Sequence, residues 1–562
     1  QDRVTTSFTN EKGNLENLGA SLTADWEVGD GHNLKFVAAY RESDSDRFVS
    51  LVPTVDPAIL NAILGQINGL FAASAGPVGT RPDFASAFVG APPRNGLFLS
   101  PPGGSPTLAD HEQYSFELTY NGEVGDGALE YTLGAFYFNE KTGTDRNFAG
   151  NTSDANSYLF VLAGLSPALG GGAGIFVPSF MPPPAPAQIP ISPLQAFVDP
   201  RADAVDRAIA AAVLQGLYGG ARQSAANELR INTEAYALYG QATWHVSDQF
   251  RITGGLRFSN ESKDGVGQPK SPFFLDNTDL LGNAIQPNIG SFSFSKLNPS
   301  VILEFDVTED VLLYGSFKQS FRSGGFNQGA VALRIPGTTA GADFEFGRED
   351  INAFEAGMKA DFLDNRLRLN IAGFYYDISN LQTTVALNPI VATSRAVVNT
   401  DEKIWGAEVE MQFSLTNELS VFGNYSYIDG NAGDVTNPLT MAVEVRDELQ
   451  GTPKNSFRVG ANYDGQLSDR VGLFANLSYS YKDDVLAVPQ NALRLSNQNI
   501  VSGRIGIDFE TDNGTEFSLA LWGQNILDDK YQIDSLPFET FAFRTQIFGQ
   551  PATYGVTAGI KF

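Results

Sequence analysis

The chain has 562 residues, of which 18% are charged and 11% aromatic, and its 57 glycines suit a protein with many turns and strands. Acidic residues outnumber basic ones 64 to 37, a formal net charge of −27 that argues against nucleic-acid binding, because phosphate contacts need concentrated Lys and Arg. The lack of Cys excludes disulfides, thiolate metal sites and cysteine nucleophiles, and the lack of any run of 18 apolar residues excludes a helical membrane protein.

Apolar and polar residues alternate with a period of two along most of the chain, the pattern of a β-strand with one apolar face. In the first such segment Leu18, Leu22 and Trp26 lie on one face, with Ser21 and Asp25 on the other. Most segments exceed the roughly 9–11 residues that a tilted strand needs to cross a bilayer. Seventeen segments are predicted in chain order: 14–28, 33–48, 112–124, 129–148, 227–246, 250–266, 291–307, 311–327, 348–363, 366–387, 393–415, 419–432, 448–467, 471–488, 496–512, 515–532 and 550–562.

The connections between these segments alternate in length. Tight turns rich in Asp, Asn and Gly, such as 29–32, 125–128 and 364–365, alternate with much longer loops such as 49–111 and 149–226. Short turns at one rim and long loops at the other are typical of an outer-membrane barrel. We therefore predict an all-β fold, a transmembrane antiparallel β-barrel in the bacterial outer membrane. A large soluble β-sandwich or propeller is the alternative, although it would not require so many long strands or a two-sided split of loop lengths.

The direction of the first strand indicates that the barrel is incomplete in this chain. If the last strand runs toward the periplasmic rim, the segment 14–28 does too, because a tight turn follows it. Single-chain bacterial barrels have an even number of strands, so at least one more strand is expected on the N-terminal side. Residues 1–13 are then the end of an extracellular loop.

Several blocks of sequence, mainly in the last 250 residues, resemble the barrel of TonB-dependent outer-membrane receptors and follow that family's order. The blocks are SFKQSFRSGGFN (316–327), AFEAGMKADFLDNRLRLNIAGFYYDISNLQ (353–382), WGAEVEMQF (405–413), GTPKNSFRVGANY (451–463), LWGQNILDDKY (521–531) and QPATYGVTAGIKF (550–562). The resemblance implies a barrel of 22 strands filled by an N-terminal plug that begins with a TonB-binding box. Residues 1–562 would then form one partial barrel domain of about 17 strands, without the plug.

The same resemblance implies TonB-dependent active import of a scarce nutrient, with the ligand bound by the loops and the plug apex. Siderophore, cobalamin, carbohydrate and aromatic compound all remain possible cargoes. The implied partners are TonB, the outer-membrane assembly machinery, a small-molecule ligand and the lipid bilayer; no enzymatic activity, cofactor or metal site is expected. A passive diffusion porin, with loop 149–226 folded into the lumen, is the alternative. A barrel-borne hydrolase would need clustered His, Ser or carboxylates at the outer rim, which the sequence does not show.

Charged residues on the polar face near turn 364–365 predict a lumen network. The turn places Asp361 opposite Arg368 and Lys359 opposite Asn370, and Glu408 and Glu410 face the same way on the next strand. Two carboxylates on one face could be a glycosidase acid/base pair. Ladders of Asp, Glu and Arg are routine inside barrels, however, and Arg368 would keep the carboxylates ionised. We therefore predict a network that braces the wall and contacts a plug.

The stretch FRSGGFN lies at the extracellular end of its strand and is a candidate ligand-binding rim. Its paired glycines would let a ligand or the plug approach the backbone closely, whereas a glycine bulge that merely ends the strand is the alternative. The candidate ligand-binding residues are Arg322, Gly324, Gly325, Phe326 and Asn327.

Two further features concern the loops and the C-terminus. Loops 49–111 and 149–226 are rich in Ala, Gly, Pro and Phe, which suits a hydrophobic or aromatic ligand, and 194–218 contains a possible short helix. The last strand, with apolar Tyr554, Ile560 and terminal Phe562 on one face, resembles the signal that the assembly machinery recognises in client barrels.

Overall fold

The computed structural model describes ten stretches of the chain, and all of their regular structure is β-strand. These stretches are 13–50, 104–147, 226–269, 287–327, 343–388, 391–438, 441–488, 493–512, 514–538 and 543–561. Among these residues no helix is long and apolar enough to span a bilayer. The strands are β1 (Gly13–Gly29), β2 (His32–Ser50), β3 (Gly104–Val124), β4 (Leu129–Asn147), β5 (Ala226–His245), β6 (Phe250–Pro269), β7 (Asn288–Thr308), β8 (Val311–Arg322), β9 (Gly325–Phe326), β10 (Glu345–Phe346), β11 (Glu349–Phe362), β12 (Leu367–Asn388), β13 (Val391–Ser414), β14 (Leu419–Ala432), β15 (Val435–Thr436), β16 (Val443–Glu444), β17 (Asn455–Ser468), β18 (Val471–Lys482), β19 (Val485–Val488), β20 (Leu493–Leu495), β21 (Gln498–Glu510), β22 (Glu516–Gln524), β23 (Gln532–Phe538), β24 (Phe543–Phe548) and β25 (Thr553–Lys561).

Seventeen of these strands form one antiparallel sheet in which each strand pairs with its neighbour in the chain. The remaining eight, β9, β10, β15, β16, β19, β20, β23 and β24, form four separate two-stranded hairpins. Each of the seventeen predicted segments corresponds to one strand of the large sheet, so the all-β, antiparallel prediction is confirmed. This up-and-down connectivity is that of a barrel wall and is unlike a sandwich or a propeller. Within the described residues no ladder joins β1 to β25.

Several predicted segments were wrong at their extracellular ends. The segments 311–327, 471–488 and 515–532 leave the large sheet at Arg322, Lys482 and Gln524, and 448–467 joins it only at Asn455. Apolar and polar residues keep alternating past these points because the adjoining short hairpins also have one buried and one exposed face. A period of two therefore does not show where a strand stops pairing with the large sheet and begins to pair within a hairpin. The strand β3, by contrast, is longer than predicted. It begins at Gly104, within the predicted loop 49–111, and pairs with β2 as far as Ser50.

The outward face of the large sheet carries an exposed apolar band. Leu18 and Leu521 have 62% and 57% of their surfaces exposed, and similar side chains follow on neighbouring strands. A contiguous exposed apolar surface of this kind marks contact with lipid. Tyrosines border the band on the long-loop side, and their hydroxyls donate to carboxylates, which indicates the edge of the hydrocarbon layer. These pairs are Tyr40–Glu42, Tyr137–Glu234, Tyr427–Asp429 and Tyr481–Asp483.

The tight turns lie at the opposite rim, as predicted. Between β11 and β12 the residues Leu363, Asp364 and Asn365 all have positive φ, at 58°, 55° and 63°. Asp and Asn tolerate this conformation because their short side chains bond to the local backbone. The turn therefore fixes which residues of β11 and β12 lie opposite each other, and with them the charged residues of the lumen.

Candidate functional site

Polar side chains cross the inward face of β11, β12 and β13 in two rows. Asp361 lies directly opposite Arg368, as predicted. Lys359 lies opposite Asn370, as predicted, and Asn370 lies opposite Glu410 on the far side. The register expected from turn 364–365 is therefore confirmed.

The contacts within these rows are local rather than one continuous network. Arg368 and Asp361 form a bidentate ion pair, with Nε 2.9 Å from Oδ1 and Nη2 3.3 Å from Oδ2. Glu410 accepts a long hydrogen bond of 3.4 Å from Asn370 Nδ2, and Glu408 accepts one of 3.5 Å from Ser426 Oγ. Arg368 therefore pairs with the carboxylate directly across the turn instead of with the two glutamates. Because 60% of the Arg368 side chain is exposed, solvent screens the pair.

Lys359 makes a different kind of contact. Its Nζ lies 5.8 Å from the centre of the Tyr314 ring, and the hydroxyl of Tyr314 donates to Glu355 Oε1 at 2.7 Å. A cation placed over an aromatic face is attracted by the electrons of the ring. No carboxylate among the described residues lies within ion-pair distance of Lys359. The bracing and plug-contacting role of these residues stays a prediction.

A cavity of about 750 Å³ runs along the lumen side of β11 to β21. It is lined by Lys359, Asn370, Glu408 and Glu410, but not by Asp361 or Arg368. Glu408 and Glu410 line one side, while Arg458 and Lys482 line the other. Arg458 donates through Nη2 to Ser478 Oγ at 3.2 Å and lies 5.7 Å from the centre of the Phe422 ring. The lumen thus presents charges of both signs to whatever occupies it, as a wet barrel interior requires.

The predicted ligand rim lies where β8 leaves the large sheet. Arg322 ends β8 with an exposed side chain, whereas the residues from Gly324 to Asn327 are buried. Phe326 packs between Phe292 and Phe344, with ring centres 5.5 Å and 5.0 Å away. The rim therefore includes one accessible cation beside a packed aromatic cluster.

Asn327 and the two glycines join this rim to neighbouring strands. Asn327 Nδ2 donates to the carbonyls of Asp343 and Val397 at 3.0 Å and 2.9 Å, and its Oδ1 accepts from the Val397 amide at 2.8 Å. A Cβ added to Gly324 or Gly325 would lie 2.5 Å from atoms of Phe346, so both glycines admit the close approach of β10. Ligand binding by these five residues stays a prediction.

The sequence did not identify Gln382, which holds the bend after β8. Its side-chain Nε2 donates to the carbonyls of Ser323 and Gly347 at 2.7 Å and 3.1 Å, and its backbone N–H donates to Glu349 Oε2 at 2.9 Å. The register of β12 shifts between Ile378 and Leu381, and this bulge exchanges the two faces of the strand beyond it. Alternation counted from turn 364–365 therefore does not give the face of Gln382.

The sequence also missed Arg446, which is buried beside the hairpin of β15 and β16. Its Nε lies 2.9 Å from Glu444 Oε1, and its Nη1 donates to Thr383 Oγ1 of β12 at 2.8 Å. The arginine thus holds the hairpin against the wall. The alternation in 442–449 was the available signal, but it does not show which strand receives the hairpin.

Other predicted sites have simpler outcomes. Tyr554 and Ile560 of β25 lie on the lipid-facing side with 64% and 51% of their surfaces exposed, while Phe562 lies outside the described residues. Their role as an assembly signal stays a prediction. The possible helix in 194–218 and most of loops 49–111 and 149–226 also lie outside the described residues.

Comparison with known proteins agrees with this geometry. The family model described as "TonB dependent receptor-like, beta-barrel" matches residues 2–526. The chain is 23% identical over 365 residues to the catecholate siderophore receptor Fiu of Escherichia coli, covering 61% of this chain and 44% of that protein. It is 25% identical over 223 residues to the metal-pseudopaline receptor CntO of Pseudomonas aeruginosa, covering 40% of this chain and 27% of that protein. The chain thus spans less than half the length of these curated relatives.

Solved structures show the same fold at low sequence identity. The ferric yersiniabactin uptake receptor FyuA from Yersinia pestis has a TM-score of 0.60 and 13% identity, covering 97% of this chain and 61% of that one. The ferric citrate transporter FecA has a TM-score of 0.57 and 14% identity, covering the same shares. The chain is therefore an outer-membrane β-barrel and belongs to the TonB-dependent receptor family.

Proposed function

We propose that the whole protein, to which this chain contributes the barrel, imports a metal chelate of the siderophore class across the outer membrane by a TonB-dependent mechanism. The observation that carries the proposal is the family match along residues 2–526. The choice of cargo is supported by the names of its relatives, a catecholate siderophore receptor and a metal-pseudopaline receptor. We propose no enzymatic activity.

In this proposal the parts beyond the chain are a plug and further strands encoded upstream. The plug would carry the TonB box, and TonB, driven by the inner-membrane proton gradient, would move it to admit the ligand. The intact mass of the protein extracted from outer membranes tests this division. It should exceed the 60.5 kDa of this chain by the mass of a plug and the missing strands, and a mass equal to 60.5 kDa would overturn the proposal.

The barrel offers two contact regions for these steps. Lys359, Asp361, Arg368, Glu408 and Glu410 would face the plug, because they lie on the inward side of the wall with charges of both signs. The rim from Arg322 to Asn327 would face the ligand at the extracellular end. The apolar composition of loops 49–111 and 149–226 favours an aromatic chelate such as a catecholate over a highly charged one.

A passive diffusion porin is the other candidate, and the family match does not favour it. Uptake of radiolabelled iron as a catecholate chelate, in iron-limited cells with and without the protein, separates the two. Import by the proposed mechanism is saturable and stops when TonB is deleted or the proton gradient is collapsed. Unsaturable uptake that persists in both conditions would indicate a porin, and uptake of cobalamin or an oligosaccharide in place of iron would keep the mechanism and replace the cargo.

A further inference from the structure

Aromatic rings inside the barrel lie directly opposite glycines in successive hairpins. Phe422 of β14 pairs with Gly460 of β17, and Phe474 of β18 pairs with Gly506 of β21. Trp522 of β22 pairs with Gly555 of β25. Each pair joins two strands that are connected by a long loop, and each lies on the inward face.

The rings occupy the space that a side chain on the glycine would need. A Cβ added to Gly460, Gly506 or Gly555 would lie 2.4, 2.3 and 2.3 Å from the facing ring. The two preceding extracellular hairpins also place a ring opposite an inward glycine, with a Cβ on Gly406 2.5 Å from Phe374 and one on Gly357 2.7 Å from Tyr314. Of these two hairpins β8–β11 has a long connection, whereas β12 and β13 are joined by the two residues 389–390. Five successive hairpins therefore share one inward feature.

Three lipid-facing glycines on the same strands are less crowded. The nearest atom to an added Cβ is 3.5 Å away at Gly423, 3.8 Å at Gly373 and 3.9 Å at Gly315. Lipid-facing Gly465 and Gly523 are crowded as well, since an added Cβ would lie 2.7 Å from Tyr463 of the same strand and 3.0 Å from the facing ring of Tyr554. The facing ring comes closest at the inward glycines, at 2.3 to 2.7 Å.

Only the native register places these rings over glycine. A slip by one residue turns every side chain to the other face, and the next register that keeps the faces is a slip by two. Such a slip would place Phe422 over Arg458 or Asn462, and Trp522 over Thr553 or Thr557. Each of these residues has a Cβ where the ring must lie. The ring is therefore sterically compatible with the native register and clashes in the two registers that are shifted by two residues.

The connections of the last three hairpins cannot select the register themselves. A two-residue turn dictates the pairing of its strands, whereas the connections 433–454, 483–497 and 525–552 are long and contain hairpins of their own. We propose that the inward glycine–aromatic pairs set the strand register of the long-loop hairpins while the barrel folds. This inference concerns folding and goes beyond the proposed transport.

Two arginines reinforce the arrangement. Arg458 and Arg504 each lie two residues before the glycine of their pair, and their guanidinium carbons lie 5.7 Å from the centre of Phe422 and 5.2 Å from the centre of Phe474. A cation over the lumen side of the ring keeps the ring against the wall in a wet interior. In the sequence, these two arrangements appear as the repeated pattern Arg-x-Gly on the strand that runs back toward the periplasmic rim.

The pair Trp522 and Gly555 allows the sharpest test, because the three atoms nearest to a Cβ on Gly555 all belong to Trp522. The chain has no cysteine, so engineered pairs can report the register. Ala520 lies opposite Thr557 in the native ladder, and Ala520→Cys with Thr557→Cys reports that register. Ala520→Cys with Gly559→Cys reports a slip by two residues. The full-length protein carrying either cysteine pair is refolded from urea into phosphatidylcholine vesicles and then oxidised.

With Trp522 present, only the native cysteine pair should crosslink. With Trp522→Leu, the slipped pair should crosslink as well, and refolding should slow by about tenfold, whereas the lipid-side control Gly423→Ala should change neither result. Gly555→Ala alone should also slow refolding, and adding Trp522→Leu to it should not restore the native rate. Should Trp522→Leu fail to insert, Trp522→Phe must restore insertion because it keeps a ring over Gly555. Native crosslinking alone in Trp522→Leu, a native rate in the double variant, or failure of Trp522→Phe after loss of insertion would each overturn the proposal.

Discussion

The side chain of Asn327, the residue that follows β9, makes two hydrogen bonds to the backbone of Val397 in β13. Its Oδ1 accepts from the Val397 amide at 2.8 Å, and its Nδ2 donates to the Val397 carbonyl at 2.9 Å. The side chain thereby replaces a missing strand neighbour, since amide oxygen and nitrogen imitate the donor and acceptor of a backbone. This contact ties the predicted ligand rim to a strand 70 residues later.

Replacing Asn327 by Ala should destabilise the rim without unfolding the wall. The change leaves the amide of Val397 and two carbonyls without their partner, and each unsatisfied buried group costs about 1–3 kcal/mol. Hydrogen exchange should rise in β9 and β10 and stay unchanged in β17 and β18. Asn424→Ala, in an exposed lumen position, is the matched control. Unchanged exchange in β9 would show that the contact does not hold the rim.

Removing Arg446 should release the hairpin of β15 and β16 from the wall. Loss of one partner from a buried ion pair costs about 3–5 kcal/mol, because the remaining charge stays buried without compensation. Limited proteolysis of Arg446→Met should therefore cut within 433–450 much faster than in the unchanged protein. Arg230→Met removes an extracellular arginine whose side chain is 56% exposed and pairs with Asp110 and Glu228, and it should leave that cleavage unchanged. Equal protection of both variants would contradict a holding role for Arg446.

The variant Arg368→Gln should slow import without lowering the thermal stability of the barrel. The Asp361 pair is exposed, so its loss should barely move the midpoint of thermal unfolding. If the lumen charges contact the plug, the same variant should import the radiolabelled chelate more slowly than the unchanged protein. Arg470→Gln, which breaks an exposed pair with Asp512 at the periplasmic rim, is the control for both measurements. Normal import by Arg368→Gln would remove this residue from the proposed plug contact.

Acid should loosen the extracellular end of β18 through Asp483. Burial works to raise the pKa of this carboxyl, but hydrogen bonds from the Tyr481 hydroxyl and from Asn455 prevail and hold its pKa below the usual value. A carboxyl with a lowered pKa stabilises the fold above its unfolded pKa of about 3.9, and this contribution is lost as the pH falls through the lower folded value.

Hydrogen exchange at the start of β17 and the end of β18 should therefore increase below about pH 4. Asp483→Asn removes the titrating group, so the same segments should already exchange faster at neutral pH and should depend less on acid. An identical acid response in the two proteins would assign the effect to other carboxyls.

The sequence by itself determined the wall. Alternation with a period of two and short turns rich in Asp and Asn act within a few residues, so they identified all seventeen strands of the large sheet and the opposition of Asp361 to Arg368 across one turn. Only the tertiary structure decided the extracellular end. There β8 leaves the sheet at Arg322, the bulge before Leu381 turns Gln382 to the other face, and Arg446 finds Thr383 across 63 residues. These outcomes depend on which distant strand supplies the partner, and a local period contains no information about that choice.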